Sequence, residues 1–237
     1  MQVVDVRAAA AGTWIKEAFA LFRALPLAWI SLMSCWLLLS GVIFLFVPLI
    51  GPAVATMMQP GLFAGLVLAA RDQSEGRGVT ISHLFAGFRF NGRALVTVGS
   101  ITLLAEILLV AILGLLGLPH TVPVESSSGM PDMQAYAKLL DGKEWLVLIG
   151  FGLMMLLKAI LWFSAALLAL HAMPASHAIR WSFYAVIANF VPLVLFGMMM
   201  MLLCMLAALP WLLGMLVWMP VYALTHYTSY RQVFRES

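Results

Sequence analysis

The chain has 237 residues, of which 64% are hydrophobic and 10% charged, against roughly 45 to 50% apolar and about 25% charged in soluble domains. A soluble catalytic domain is excluded, because the longest water-exposed segment, 118–144, spans 27 residues and falls below the roughly 40 needed to fold alone. The formal charge of +3 comes from basic residues set singly and in pairs beside apolar runs, which is a topology signal and excludes nucleic acid as a partner.

In chain order, residues 13–25 place Trp14, Ile15, Ala18, Phe22 and Leu25 at helical spacing around Lys16, Glu17 and Arg23, predicting an amphipathic helix on the membrane surface with its apolar face in the lipid. Apolar stretches of roughly 20 residues follow, at 27–50 and 53–70 with a tight Gly51-Pro52 link, and then at 94–118 and 145–170. The first is too long for the core of a cleavable signal peptide, so it is expected to stay. The charge-free stretch 185–224 is too long for one crossing, and Pro210 with Trp211 offers a break and an interfacial anchor. It divides into 189–208 and 211–229. Residues 80–91, with Leu84, Phe85, Phe88 and Arg89, and 175–188, with Ile179, Trp181, Phe183 and Tyr184, repeat the amphipathic pattern of 13–25.

The runs are apolar on every face, which excludes the period-two alternation of a transmembrane barrel. The expected fold is all-α: a polytopic membrane protein of six transmembrane helices arranged as three hairpins, each preceded by a cytoplasmic-side interfacial amphipathic helix. With the N-terminus inside, Arg7, Lys16, Arg23, Arg71, Arg77, Arg89, Arg93, Arg180, Arg231 and Arg235 are cytoplasmic, while Lys138 and Lys143 face out. That bias sets both termini in the cytoplasm and 118–144 as the outer loop. The chain reads as one integral domain, 1–237, built of modules 13–70, 80–170 and 175–229, which are parallel repeats because each begins and ends inside.

Two ionisable residues fall inside spans, where such groups are costly and mark function by default. Glu106 lies 13 residues from Arg93 and Lys158 lies 13 from His171, so both stand roughly 20 Å from the inner boundary. Gln59, 12 residues from Arg71 and followed by Pro60-Gly61, reaches nearly the same level. This midplane layer of Glu106, Lys158 and Gln59 is either a structural ion pair with a packing kink beside it or the lining of a site for a small polar or lipidic ligand. His171, His177 and His226 fall near the inner interface as ordinary interfacial histidines, and Ser176 beside His177 belongs to a surface helix. Cys35 and Cys204 sit singly in apolar runs and build neither a disulfide framework nor a metal spacing. The sixteen methionines read as adaptable packing. Gly61-x-x-x-Gly65 allows close helix approach, within the bundle or in a dimer.

Leu84-Phe85-Ala86-Gly87-Phe88-Arg89, Ser182-Phe183 with Asn189 and Pro192, and Tyr227-Thr228-Ser229-Tyr230-Arg231-Gln232-Val233-Phe234 resemble a family of small uncharacterised bacterial integral membrane proteins of six helices. That family is more distantly similar to the membrane domain attached to some glycerophosphodiester phosphodiesterases. The resemblance implies the architecture and transfers no activity to any residue.

No catalytic motif is present in the sequence. The expectation is a non-enzymatic multi-pass protein of the bacterial inner membrane, without cofactor or metal, that binds or passes a small polar or lipidic ligand. The alternatives are a scaffold docking partner proteins and an intramembrane lipid-modifying enzyme using Glu106. The partners it admits are the bilayer, a lipid or small-molecule ligand and a second copy of the chain.

Overall fold

The computed structural model describes residues 2–47, 50–119, 123–124 and 132–235, and these group into two compact units, 1–100 with 160–237, and 101–159. Five helical segments are long and apolar enough to cross a bilayer: Pro26–Phe46, Gly51–Ser74, Ile81–Leu115, Glu144–Leu170 and Phe190–Ala208. The protein is therefore all-α and polytopic.

In the first unit, α1 (Ala10–Ala24) runs almost directly into α2 (Pro26–Phe46). The residue before a proline is pushed out of the helical region, and proline itself suits the first helical position. Leu25 accordingly takes φ −138° and ψ 60° and separates the two helices. Helix α3 (Gly51–Ser74) buries its second half, from Gly61 to Ala70. Helix α10 (Met215–Val233) buries nearly every residue from Pro220 to Tyr230, the pattern of a helix enclosed on all sides.

Residues 13–25 are helical as expected, but their apolar face is not turned to lipid. Ala11, Trp14, Ala18 and Phe22 are buried in the packing of α1 on α10 and α9 (Phe190–Ala208). The amphipathic pattern has the same period whether the apolar face meets acyl chains or another helix, and Trp14 decides between them. Its side chain is 0% exposed and its Nε1 donates to Gln232 Oε1 on α10 (3.0 Å), a partner that lipid does not supply.

Residues 80–91 are likewise not a single surface helix. Thr80 closes a capping box with His83 over a 3₁₀ segment, Ile81–Phe85, and α4 (Ala86–Leu115) then starts with a kink at Asn91 (φ −147°, ψ 48°), whose Nδ2 donates to the Met173 carbonyl (3.0 Å). Leu84 is buried. A Cβ on Gly65 would overlap the carbonyl oxygens of His83 and Leu84, one on Gly61 the Phe88 ring, and one on Gly87 the Gly61 carbonyl. The Gly61-x-x-x-Gly65 pair thus serves contact within the unit.

Helix α8 (Ala175–Ala188) covers the residues expected to be helical. Ala178, Ser182 and Ala185 pack inward, and Phe183, Tyr184 and Ile187 are 40, 54 and 60% exposed. Ser182 also accounts for a break that the uniformly apolar run 145–170 does not announce. Its hydroxyl donates to the Ile160 carbonyl (2.6 Å) and accepts from the Phe163 N–H (3.1 Å), so α6 (Glu144–Ile160) ends there and the short, buried α7 (Ser164–Leu170) begins. The turn expected at Pro210-Trp211 lies between α9 and α10, with Trp211 and Leu212 at φ 52° and 65°.

The two ends of the chain pair. Strands β1 (Gln2–Val3) and β2 (Phe234–Arg235) form a two-stranded antiparallel ladder, extended by Val4 N–H to the Val233 carbonyl (2.8 Å). The fully buried Asn189 clamps the incoming chain, accepting from Val6 N–H (2.9 Å) and donating to the Val4 carbonyl (3.1 Å).

The second unit holds the part of α4 from Ile101 onward, α5 (Met133–Leu140) and α6 up to Ala159. Gly150 lets α6 approach Leu113, whose side chain a Cβ there would overlap. Helix α5, read from sequence as part of a plain loop, is capped by Asp132, which accepts from the N–H groups of Gln134 and Ala135. Residues 120–122 and 125–131 of the expected outer loop lie outside the described residues.

Candidate functional site

Glu106 on α4 and Lys158 on α6 form an ion pair within the second unit, Lys158 Nζ donating to Glu106 Oε1. Their side chains are 19% and 41% exposed on the protein surface. The helix rotation, unreadable from sequence, turns the two side chains together. A one-to-one pair of opposite charges is self-neutralising and holds no spare charge for a ligand. Gln59 stands on α3 in the other unit, half-buried.

A denser polar assembly, which sequence reasoning missed, lies in the first unit where α1, α3 and α10 end near Arg71, Arg77 and Arg231. Trp29 Nε1 donates to Gln73 Oε1 (2.6 Å), and Gln73 Nε2 donates to the Leu21 carbonyl (2.7 Å). The Ser74 and Tyr227 hydroxyls share a hydrogen bond (2.7 Å). Gln232, besides accepting from Trp14, donates to Glu17 Oε1 (2.9 Å), while Arg231 stands 3.5 Å from Glu17 Oε2. The Thr228 hydroxyl donates to the Trp14 carbonyl (3.0 Å). These bonds hold three helix ends around an open cavity of about 540 Å³, lined by Glu17, Gln73, Ser74, Arg77, Thr228 and Arg231, with Ala20 and Ala24 of α1 and the following Leu25 as its apolar side. The Arg77 guanidinium donates to Asp72 Oδ1 (2.7 Å) and pairs with Glu75. The hydrogen bond to Asp72 holds its pKa above the usual guanidinium value.

His226 is buried deeper in the same unit. It stacks on Trp162 with ring centroids 3.8 Å apart and meets Phe63 and Tyr222. Its Nδ1 lies 3.4 Å from the Trp162 carbonyl, and its Nε2 has no hydrogen-bond partner among the described residues. It is a core histidine, not an interfacial one. His171 is bonded through Nε2 to the Tyr230 hydroxyl (2.5 Å), and His177 is exposed on α8.

No family model matches the chain. Over 186 residues it is 28% identical to a protein of Burkholderia thailandensis named a probable inner membrane protein, a match covering 77% of this chain and 68% of that one. The chain is a multi-pass inner-membrane protein. No solved structure matches it, and these comparisons show no link to the glycerophosphodiester phosphodiesterases.

Proposed function

We propose that this protein is a non-enzymatic, six-crossing inner-membrane protein that binds a small polar or lipidic ligand in the cavity between α1, α3 and α10. The observation that carries this reading is the cavity itself, about 540 Å³ with Glu17, Arg77 and Arg231 on its polar side and Ala20, Ala24 and Leu25 on the other. Both signs of charge beside an apolar wall suit an amphiphile, whose headgroup takes the polar side and whose chain follows the exposed face of α1. The midplane reading is weaker, because Glu106 and Lys158 satisfy each other.

The pairing of β1 with β2 supports the sixth crossing. Ends that meet lie on one side of a bilayer, so the number of crossings is even, and α10, 19 residues long, is the sixth. On this reading both termini and the cavity face the cytoplasm, as the basic residues imply. The three modules 13–70, 80–170 and 175–229 are then the repeating hairpins, and the resemblance to the phosphodiesterase membrane domain is one of architecture.

The test is chemical identification of what leaves the membrane with the protein. Protein purified in mild detergent is extracted into organic solvent and its extract analysed by mass spectrometry beside that of an Ala20→Trp variant, which fills the cavity from an exposed position. An amphiphile near one per chain in the natural protein and depleted in the variant is expected. Identical extracts, with nothing enriched over bulk membrane lipid, would move the account to the scaffold reading.

A further inference from the structure

A second cavity in the first unit, of about 390 Å³, lies between the end of α3 and the start of α4 and shares no lining residue with the one above. Its polar lining is Arg71, Asp72, Ser82, His83 and Arg89. We propose that it binds the phosphate diester headgroup of an anionic phospholipid, with Arg71 and Arg89 as the charge partners and Ser82 as a hydroxyl donor.

The charges decide the sign of the ligand. Asp72, the acidic residue of the lining, is already engaged, accepting from Arg77 (2.7 Å) and facing His83 Nε2 (3.1 Å). Arg89 is exposed and makes no ion pair or hydrogen bond among the described residues. The Arg71 Nε is buried without a hydrogen bond, with Asp72 and Glu75 at 3.6 and 3.9 Å. Arg71 and Arg77 are balanced by Asp72 and Glu75, with which they form ion pairs, so the charge of Arg89 is left over and the cavity keeps a net positive charge, and planar guanidinium forks match phosphate oxygens. The wall is built: the capping box of Thr80 and His83 fixes the 3₁₀ segment that carries Ser82, whose hydroxyl touches that of Thr80 (2.8 Å).

Its position favours a lipid over a free phosphate. Leu68 closes the apolar run of α3 just before Arg71 and Asp72, while Ala86 and the half-exposed Phe90 continue the cavity toward α4. Charged groups thus follow apolar ones at the border where headgroups sit, and basic pockets between membrane helices are known takers of anionic headgroups.

The test is titration of the full-length protein, in nanodiscs of phosphatidylcholine, with dioleoylphosphatidylglycerol, and separately in detergent with sn-glycerol 3-phosphate and inorganic phosphate, followed by thermal shift and native mass spectrometry. Phosphatidylglycerol is expected to bind saturably, and Arg89→Gln, on the surface, to weaken it about ten- to hundredfold, the order of a lost charge-assisted hydrogen bond, without changing the melting temperature of the lipid-free protein. Arg180→Gln, a basic residue on α8, should leave it unchanged. Equal losses in both variants would reduce the effect to general surface charge, an unchanged Arg89→Gln would remove the site, and either soluble phosphate binding as tightly as phosphatidylglycerol would replace the lipid by a free phosphate. Each of these overturns the proposal.

Discussion

Val3 faces Phe234 across a two-residue antiparallel ladder, so residues 231 positions apart in the sequence are neighbours in the fold. The flanking register pair is Gln2 and Arg235. Opposed residues in such a ladder stand about 4.5 to 5.5 Å apart at Cα, within disulfide range. With Cys35→Ala and Cys204→Ala as background, Gln2→Cys with Arg235→Cys is expected to form an intramolecular disulfide under mild oxidation, seen as a mobility shift that reductant reverses. Exclusive dimer formation would separate the ends.

The same background tests sidedness. Gly78 lies beyond α3 in open space, and Asp141 ends α5. Cysteine at Asp141 should react with an impermeant thiol reagent once the outer barrier is permeabilised, and cysteine at Gly78 only after the inner membrane is opened. The reverse order would invert the topology.

For the ion pair, removing one partner strands the other. Glu106→Gln or Lys158→Met alone should lower the melting temperature, by a loss on the order of 1 to 3 kcal/mol, between the limits for exposed and buried pairs. The double substitution should recover most of it. Additive losses in a double-mutant cycle would mean that the contact carries no coupling.

Close helix approach gives a sharper contrast. Gly65→Ala drives a Cβ into the backbone of His83 and Leu84, whereas Gly41 on α2 has nothing within 4 Å of its Cβ position. Thermal unfolding in detergent should show Gly65→Ala destabilised by about 1 to 3 kcal/mol. Gly41→Ala should be unchanged or slightly stabilised, since alanine is the better helix former. Equal effects would place Gly65 outside the contact.

What was legible in the sequence followed from local physics. The spans expected at 27–50, 53–70, 145–170 and 189–208 and the turn at Pro210-Trp211 need only length, hydropathy and proline chemistry, and they stand within a few residues of where expected, whereas the helix expected from 94 begins at Ala86 and the sixth expected span, 211–229, is not among the five apolar enough to cross. The face that α1 buries was not legible, because its periodicity is blind to what lies opposite; only the bond from Trp14 to Gln232 settles it. The break after Ile160 was hidden because its cause, Ser182, is 22 residues further on. The cavity escaped for the same reason at larger scale. Glu17, Gln73 and Arg231 meet only because three helices end together, and each alone is an ordinary interfacial residue. Glu106 and Lys158 stood out because charge inside an apolar run is conspicuous, which drew attention to a pair that neutralises itself.

Whether the ligand occupies the cavity or the midplane is decided by native mass spectrometry of the protein released from its own membranes, comparing Ala20→Trp with Glu106→Gln/Lys158→Met, both in an Arg89→Gln background that weakens the separate phospholipid site. The cavity account predicts a bound mass that is lost in Ala20→Trp and retained in the double variant. Loss in the double variant with retention in Ala20→Trp would contradict it and return the site to the midplane.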